Sequence, residues 1–196
     1  MINKVKTELK FKNNQEDCLI KKIMNCPFKK IYLPTSEKNF IYFMTLAYNK
    51  SIEGWVNNEI PVGAVIELNG VIIGASYNQV ESTCNPTAHA EILAITEATN
   101  NIGEWRLDKA CLYTTKEPCP MCAGAAIMSR IKSVYYAFSD SKIGCLGGAA
   151  SLQKLNHFNH LINVYSGILE KECKTLFKTF FKEKRKYINQ NKKLLI

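Results

Sequence analysis

Apolar residues recur at helical spacing in NFIYFMTLAYNKSIEGW (39–55), where Phe40, Phe43, Met44, Leu46 and Ala47 share one face. The next stretch, IPVGAVIELNGVIIGASYN (60–78), changes period. Two β-branched runs flank Asn69-Gly70, the pattern of a tight hairpin. QVESTCNP (79–86) is polar and reads as a loop. Thr87 is then placed to cap a helix from Ala88 to about Asn100. ACLYTT (110–115) is a short, nearly continuous apolar run, as expected of a buried strand. EPCPMCAGAAIMSR (117–130) turns directly into a second helix, with Pro118 and Pro120 at its start. KSVYYAF (132–138) and INVYSGI (162–168) read as strands separated by the glycine-rich loop SDSKIGCLGGAAS (139–151). LEKECKTLFKTFFKEKRKYINQ (169–190) is a long amphipathic helix with a basic outer face. A hairpin followed by alternating helices and strands predicts a layered α/β domain around a mixed five-stranded sheet.

Residues 1–38 show no sustained period and contain Pro27 and Pro34, so they read as a basic extension, partly disordered or loosely docked. The remainder divides into a core over 39–190 and a short tail over 191–196. Apolar residues make up 46% and charged residues 22% of the 196 positions, ordinary values for a soluble globular protein. No apolar run approaches the roughly 18 residues of a membrane span. The N-terminal MINKVKTELKFKNNQEDC has lysines but no apolar h-region, which argues against a secretory signal. It lacks the Arg and Ser richness of a transit peptide, although its few acids leave an organelle address open. Of eight cysteines only Cys119 and Cys122 form a tight pair, so reduced thiols in a cytoplasm are expected, and C-x-x-C then points to metal or redox chemistry.

Charge is unevenly spread. The net +9 resolves into +5 over residues 1–38, −2 over 39–165 and +6 over 166–196. A near-neutral body with basic ends suits a polyanionic partner such as a nucleic acid, or is a solvated lysine-rich surface.

The candidate chemistry lies in H-A-E (89–91) and P-C-P-M-C (118–122), at the starts of two different helices. Cys119 and Cys122 project from one face at a helix start. Helix N-termini and zinc both favour thiolate. A catalytic zinc commonly takes three protein ligands and a water, and His89, opening the other helix, is the natural third. Glu91, beside the metal without binding it, can move the protons that attack and departure require. Taken singly these residues have plainer readings. His89 suits a cap or core histidine, Glu91 a first-turn acid, and the cysteine pair a redox couple or half of a structural zinc site. Taken together, H-A-E followed by P-C-P-M-C is the H-x-E…P-C-x-x-C signature of zinc deaminases. His157 and His160 lack nearby Cys or acid partners and read as loop or surface residues.

Over residues 39–190 the chain resembles the bacterial-type tRNA adenosine deaminases. IPVGAVI, SYNQ, NPTAHAEILAI, LYTTKEPCPMCAGAAIMSRI and DSKIG carry the resemblance. It implies the cytidine deaminase-like three-layer α/β/α sandwich, a homodimer and one zinc per chain. The implied reaction converts the wobble adenosine of a tRNA anticodon stem-loop to inosine. Glu91 is then catalytic, and His89, Cys119 and Cys122 are metal ligands. Asn78 and the backbone of Ala90 hold the flipped base. Asp140 and Lys142 meet the anticodon-loop backbone, and Lys184, Arg185 and Lys186 meet phosphates. Asn78 also reads as a strand-ending turn residue, and the Lys-Arg-Lys run as a solvated face. Rival functions are a deaminase of a free nucleobase or nucleoside (guanine or cytosine), a tRNA-binding deaminase-like subunit, and a structural zinc protein. Two features depart from the family: the 1–38 extension, and GCLGGAASL, which is longer than the usual Gly-x-x-Gly-Ser turn.

Overall fold

The computed structural model describes residues 25–36, 38–155 and 158–194. Helix α1 (Phe40–Val56) begins where the Asn39 side chain accepts hydrogen bonds from the N–H groups of Ile41 and Tyr42. These are two of the donors that a first turn leaves free. Strands β1 (Gly63–Leu68) and β2 (Val71–Tyr77) form the expected hairpin. Asn69 and Gly70 sit at φ 53° and 80°, both positive as a type I′ turn requires.

A single helical turn, α2 (Val80–Thr83), interrupts the segment expected to be all loop. Helix α3 (Ala90–Ile102) follows. It starts two residues later than the sequence suggests, because Thr87 does not cap it. The Thr87 hydroxyl and N–H both donate to Asn85 Oδ1 at 2.7 and 2.9 Å, and His89 takes the N-cap position instead. Strand β3 (Cys111–Lys116), helix α4 (Pro120–Met128), strands β4 (Ser133–Phe138) and β5 (Asn163–Ser166) with a 3-10 turn (Leu152–Lys154) between them, and helix α5 (Glu170–Leu194) complete the described chain. β5 is shorter than the apolar run, since Gly167 and Leu169 adopt φ 94° and 55° and turn the chain out of the sheet. α5 runs past Gln190, through residues expected as a tail.

The sheet order is β2-β1-β3-β4-β5. β1 is antiparallel to β2 and to β3, whereas β3, β4 and β5 are parallel. This is the expected mixed five-stranded sheet. On one face, Ile66, Leu112, Val134 and Tyr136 pack with Ala90, Ala94 and Ala98 of α3 and Ala123, Ala126 and Ile127 of α4. On the other, Val65, Tyr113 and Ala137 pack with Met44 and Trp55 of α1 and Leu176 and Phe180 of α5. The layers are α/β/α. Small residues bring α3 so close that a Cβ on Gly74 would meet the backbone of Ala94 and Ala98. Parallel strands β3 and β4 therefore end, with α3 and α4 beginning, on one side of the sheet.

The extension is more firmly held than its sequence suggests. Asn49 of α1 clamps its backbone, accepting from Ile31 N–H at 2.9 Å and donating to Ile31 C=O at 2.7 Å. Phe28 meets Trp55 edge-on with centroids 5.9 Å apart, and Lys30 pairs with Glu53 at 2.7 Å. Residues 1–24 of the extension lie outside the described residues.

The contact at Gly74 yields a first prediction. Gly74→Ala forces a methyl group against backbone that cannot rotate away, and overpacking of this kind costs about 1–3 kcal/mol. Equilibrium urea unfolding should show that loss, with Gly70→Ala, whose Cβ would meet nothing within 4 Å but whose φ is 80°, as the strain-only control.

Candidate active site

Helices α3 and α4 present their N-termini to each other. Their N-cap residues, His89 and Cys119, make no side-chain bond to their own helices. An N-cap side chain ordinarily spends itself on the first turn. Here both are turned outward to a common point. His89 Nδ1 lies 3.4 Å from Cys122 Sγ and 3.6 Å from Cys119 Sγ, and the two sulfurs are 3.6 Å apart. Pro120 at the start of α4 has no N–H to satisfy there.

These three donors fit a zinc ion. Ligand bonds of about 2.0–2.3 Å in a tetrahedron place N and S donors about 3.5–3.8 Å apart. The observed edges match, and among the described residues this is the His/Cys/acid group close enough to share an ion. The electrostatics agree. The Cys122 hydrogen bond, joined by His89, outweighs burial and pulls the Cys119 thiol down to about 3. The same bond, with burial, pushes the Cys122 thiol up. A bound cation would take both sulfurs as thiolates.

Glu91 stands in the first turn of α3, buried and 4% exposed. Burial raises its carboxyl above the ordinary carboxylate range. It lines a cavity of about 250 Å³ together with His89, Cys119, Asn78 and Asp140. Ile60, Val62 and Ile143 supply apolar walls, and Phe177 and Phe181 of α5 close one side. Ala90, with a methyl side chain, has only backbone polar groups to offer, and it is fully buried at the start of α3. Its N–H is among the donors that the first turn of α3 leaves free.

The remaining sequence candidates are placed differently. Asp140 is engaged within the protein. Its Oδ2 pairs with Lys116 Nζ at 2.6 Å, and its Oδ1 accepts the N–H groups of Lys142 and Ile143 at 2.8 and 3.3 Å. Lys142 is exposed at the rim. On α5, Lys184 lies 3.9 Å from Glu81 of α2 and over the Phe180 ring. Lys186 pairs with Glu183 of its own helix at 2.8 Å, and Arg185 is exposed. His160 hydrogen-bonds the Ile131 backbone carbonyl from a loop, as expected of it; His157 lies outside the described residues.

Three residues escape a reading of the sequence. Glu117 is 1% exposed, and its carboxylate accepts the N–H groups of Asp140, Leu146 and Gly148 at 2.8–2.9 Å. The glycine-rich loop is wrapped around this acid. A Cβ on Gly144 or Gly148 would strike its carboxylate, so the loop takes the glycines it has. Lys116 reaches the cavity from the end of β3, and Glu59, buried under Asn78, supports the opposite wall. An acid just before Pro-Cys and glycines nearby were the available signals for Glu117. The other two leave no spacing pattern.

The family model for the cytidine and deoxycytidylate deaminase zinc-binding region matches residues 37–138. The chain belongs to this family. Within the deaminases, it is 43% identical over 144 residues to the tRNA-specific adenosine deaminase of Bacillus subtilis (strain 168), covering 74% of this chain and 89% of that relative. It is 40% identical over 160 residues to the tRNA-specific adenosine deaminase of Haemophilus influenzae, covering 81% and 90% of the two chains. A solved structure from a study of A-to-I editing by tRNA:A34 deaminases superposes with a TM-score of 0.67 at 37% identity, over 68% of this chain and 97% of that one. The deaminase fold expected from the sequence is the fold observed.

Asp140 gives a prediction with a sign. Burial would raise its carboxyl, but Lys116 and the N–H groups of Lys142 and Ile143 outweigh burial and lower it. A group depressed in the folded state stabilises above its unfolded pKa, about 3.9, and that contribution is lost as pH falls through the folded value. Asp140→Asn should therefore be less stable than the parent at pH 7, and the gap should narrow progressively as pH falls below about 4. Urea midpoints across that range measure it.

Proposed function

We propose that this protein is a zinc-dependent tRNA adenosine deaminase that converts the wobble adenosine of an anticodon to inosine. The observation that carries the reading is the buried Glu91 carboxylate beside the His89/Cys119/Cys122 group, on the wall of a cavity flanked by basic α5. Its relatives named tRNA-specific adenosine deaminases, matched over most of their length, support tRNA as the substrate.

His89, Cys119 and Cys122 would hold one zinc per chain, which supplies Lewis acidity that brings the pKa of a water near neutrality. Glu91 accepts a proton from the attacking water and returns it to the ring nitrogen N1. It then carries the second proton to the amine. At carbon 6 a C–O bond forms, the C–N bond breaks, and ammonia leaves. Burial, which holds the Glu91 carboxyl high, makes it a competent proton carrier near neutral pH. Asn78 and the Ala90 N–H hold the base. An anticodon loop presents that base already unstacked, so extrusion costs less than from a duplex. Asp140 sets the rim from which Lys142 meets the loop backbone. Lys184, Arg185 and Lys186 meet phosphates. The reading includes a deaminase unit over 39–190, a homodimer and a cytoplasmic location; no described helix is long and apolar enough to cross a membrane.

Two experiments test it. Glu91→Gln should fold and retain zinc while kcat falls about 10²–10⁴-fold, the scale of general acid–base catalysis. Replacing His89, Cys119 and Cys122 by Ala should remove zinc. Elemental analysis beside an inosine assay on an anticodon stem-loop reads both, and near-normal turnover by Glu91→Gln would reject its role.

Neutralising Lys184, Arg185 and Lys186 together should raise the tRNA dissociation constant and flatten its salt dependence, because fewer counterions are released on binding. Zinc content should not change. If the parent protein deaminates free guanine or cytosine and ignores the stem-loop, the substrate assignment falls while the zinc chemistry stands.

A further inference from the structure

Glu59 is fully buried in the turn between α1 and β1. Its carboxylate is satisfied by N–H groups from the far side of the hairpin. Oε1 accepts the N–H of Ser82 at 2.7 Å, and Oε2 accepts that of Glu81 at 3.3 Å. These are first-turn donors of α2, whose own N-cap residue, Gln79, makes no side-chain cap bond. Oε2 also accepts a third hydrogen bond, from Asn78 Nδ2 at 3.0 Å. A remote acid thus caps α2 and grips the neighbouring carboxamide at once.

Both Glu59 oxygens already accept backbone N–H groups, so the group that Asn78 turns toward them is its NH₂, and the carbonyl oxygen is directed elsewhere. An asparagine carboxamide is nearly symmetric in shape, and its two orientations differ only in the partners they find. The Asn78 backbone is fixed separately, its N–H donating to Val62 C=O at 3.0 Å, so the side-chain flip is the one freedom left. Asn78 lines the cavity beside His89 and Glu91.

We propose that Glu59 is a positioning residue that locks the Asn78 carboxamide in one orientation and so fixes the hydrogen-bonding face offered to the purine base. The cavity is presented with the Asn78 oxygen and one remaining N–H, the pairing for a base edge that carries a donor beside an acceptor. This rests on the reading of Asn78 as a base-binding residue. Glu59→Gln has a specific consequence. In a glutamine one of the two positions becomes NH₂. At Oε1 it would oppose the short, backbone-fixed Ser82 N–H bond of 2.7 Å; at Oε2 it gives up the longer Glu81 N–H bond of 3.3 Å and faces Asn78, which can flip and accept from it. The flip would show the cavity an NH₂ where it had an oxygen.

The test is a double-mutant cycle on an anticodon stem-loop, with Glu59→Gln, Asn78→Ala and the double variant, each checked for zinc content and thermal unfolding. Each single change should lower kcat/KM about tenfold or more, mainly through KM, and the double variant should be no worse than Asn78→Ala alone. Losses that multiply in the double variant would overturn the positioning role while leaving Asn78 a binding residue. Wild-type kinetics for Asn78→Ala would overturn the base contact and the positioning role with it. If a free purine is deaminated in place of the stem-loop, the same cycle is read on that purine, so an error in substrate is separated from an error about Glu59. A second readout needs only the parent protein. The Asn78 side-chain ¹⁵N–H protons should include one that exchanges slowly with water, and rapid exchange of both would overturn the proposal.

Discussion

The convergence of two helix N-termini on one point is the constraint that the rest of the structure serves. His89 and Cys119 occupy cap positions yet give their own helices nothing, and the three donor atoms sit 3.4–3.6 Å apart. Such spacing demands that α3 and α4 be held to within tenths of an ångström on the same face of the sheet. The alanines of α3, the glycine beneath it and the parallel pair β3/β4 do this. The partial positive charge at both helix starts favours thiolate and carboxylate where they are needed.

The walls of the cavity are held by a different device. Glu59 and Glu117 are buried acids whose oxygens are filled by N–H groups from segments 19 to 31 residues away. Leaving such an acceptor or donor unpaired in the interior costs about 1–3 kcal/mol. Each acid therefore selects one course for the chain around it: Glu59 for the turn carrying Asn78, Glu117 for the loop carrying Asp140. Helices α3 and α4 are fixed by packing, and the cavity walls by buried acids whose oxygens are satisfied.

Much of this is legible in the sequence because period and turn chemistry are local. Asn69-Gly70 marks the hairpin, the β-branched and apolar runs mark five strands, and H-A-E with P-C-P-M-C marks the metal-binding group. The start of α3 is misread for an instructive reason. Thr87 is a better cap than His89 by intrinsic preference, but its hydroxyl is taken by Asn85, and the histidine at the cap turns to Cys119 and Cys122 and not to its own helix. A local rule fails where a site overrides it. The docking of residues 25–36 is illegible because it depends on Asn49 offering both halves of its amide to one peptide unit, across 18 positions of sequence. Glu59 and Glu117 are hidden likewise, since an acid answered by distant N–H groups leaves no period to read. Phe177 and Phe181 look like core positions of an amphipathic helix, and only the fold shows that they also wall the cavity.

The grip of Glu117 on its loop also bears on how such a protein can diverge. A side chain at position 144 or 148 collides with the acid, and a shorter residue at 117 would strand the N–H groups of 140, 146 and 148. The three positions are thus bound into one heritable unit, in which a change at any one becomes tolerable only after compensation at another. Residues of the loop that do not touch the acid escape this bond. Lineages are free to lengthen or recolour the rim there, next to the cavity, without disturbing the anchor.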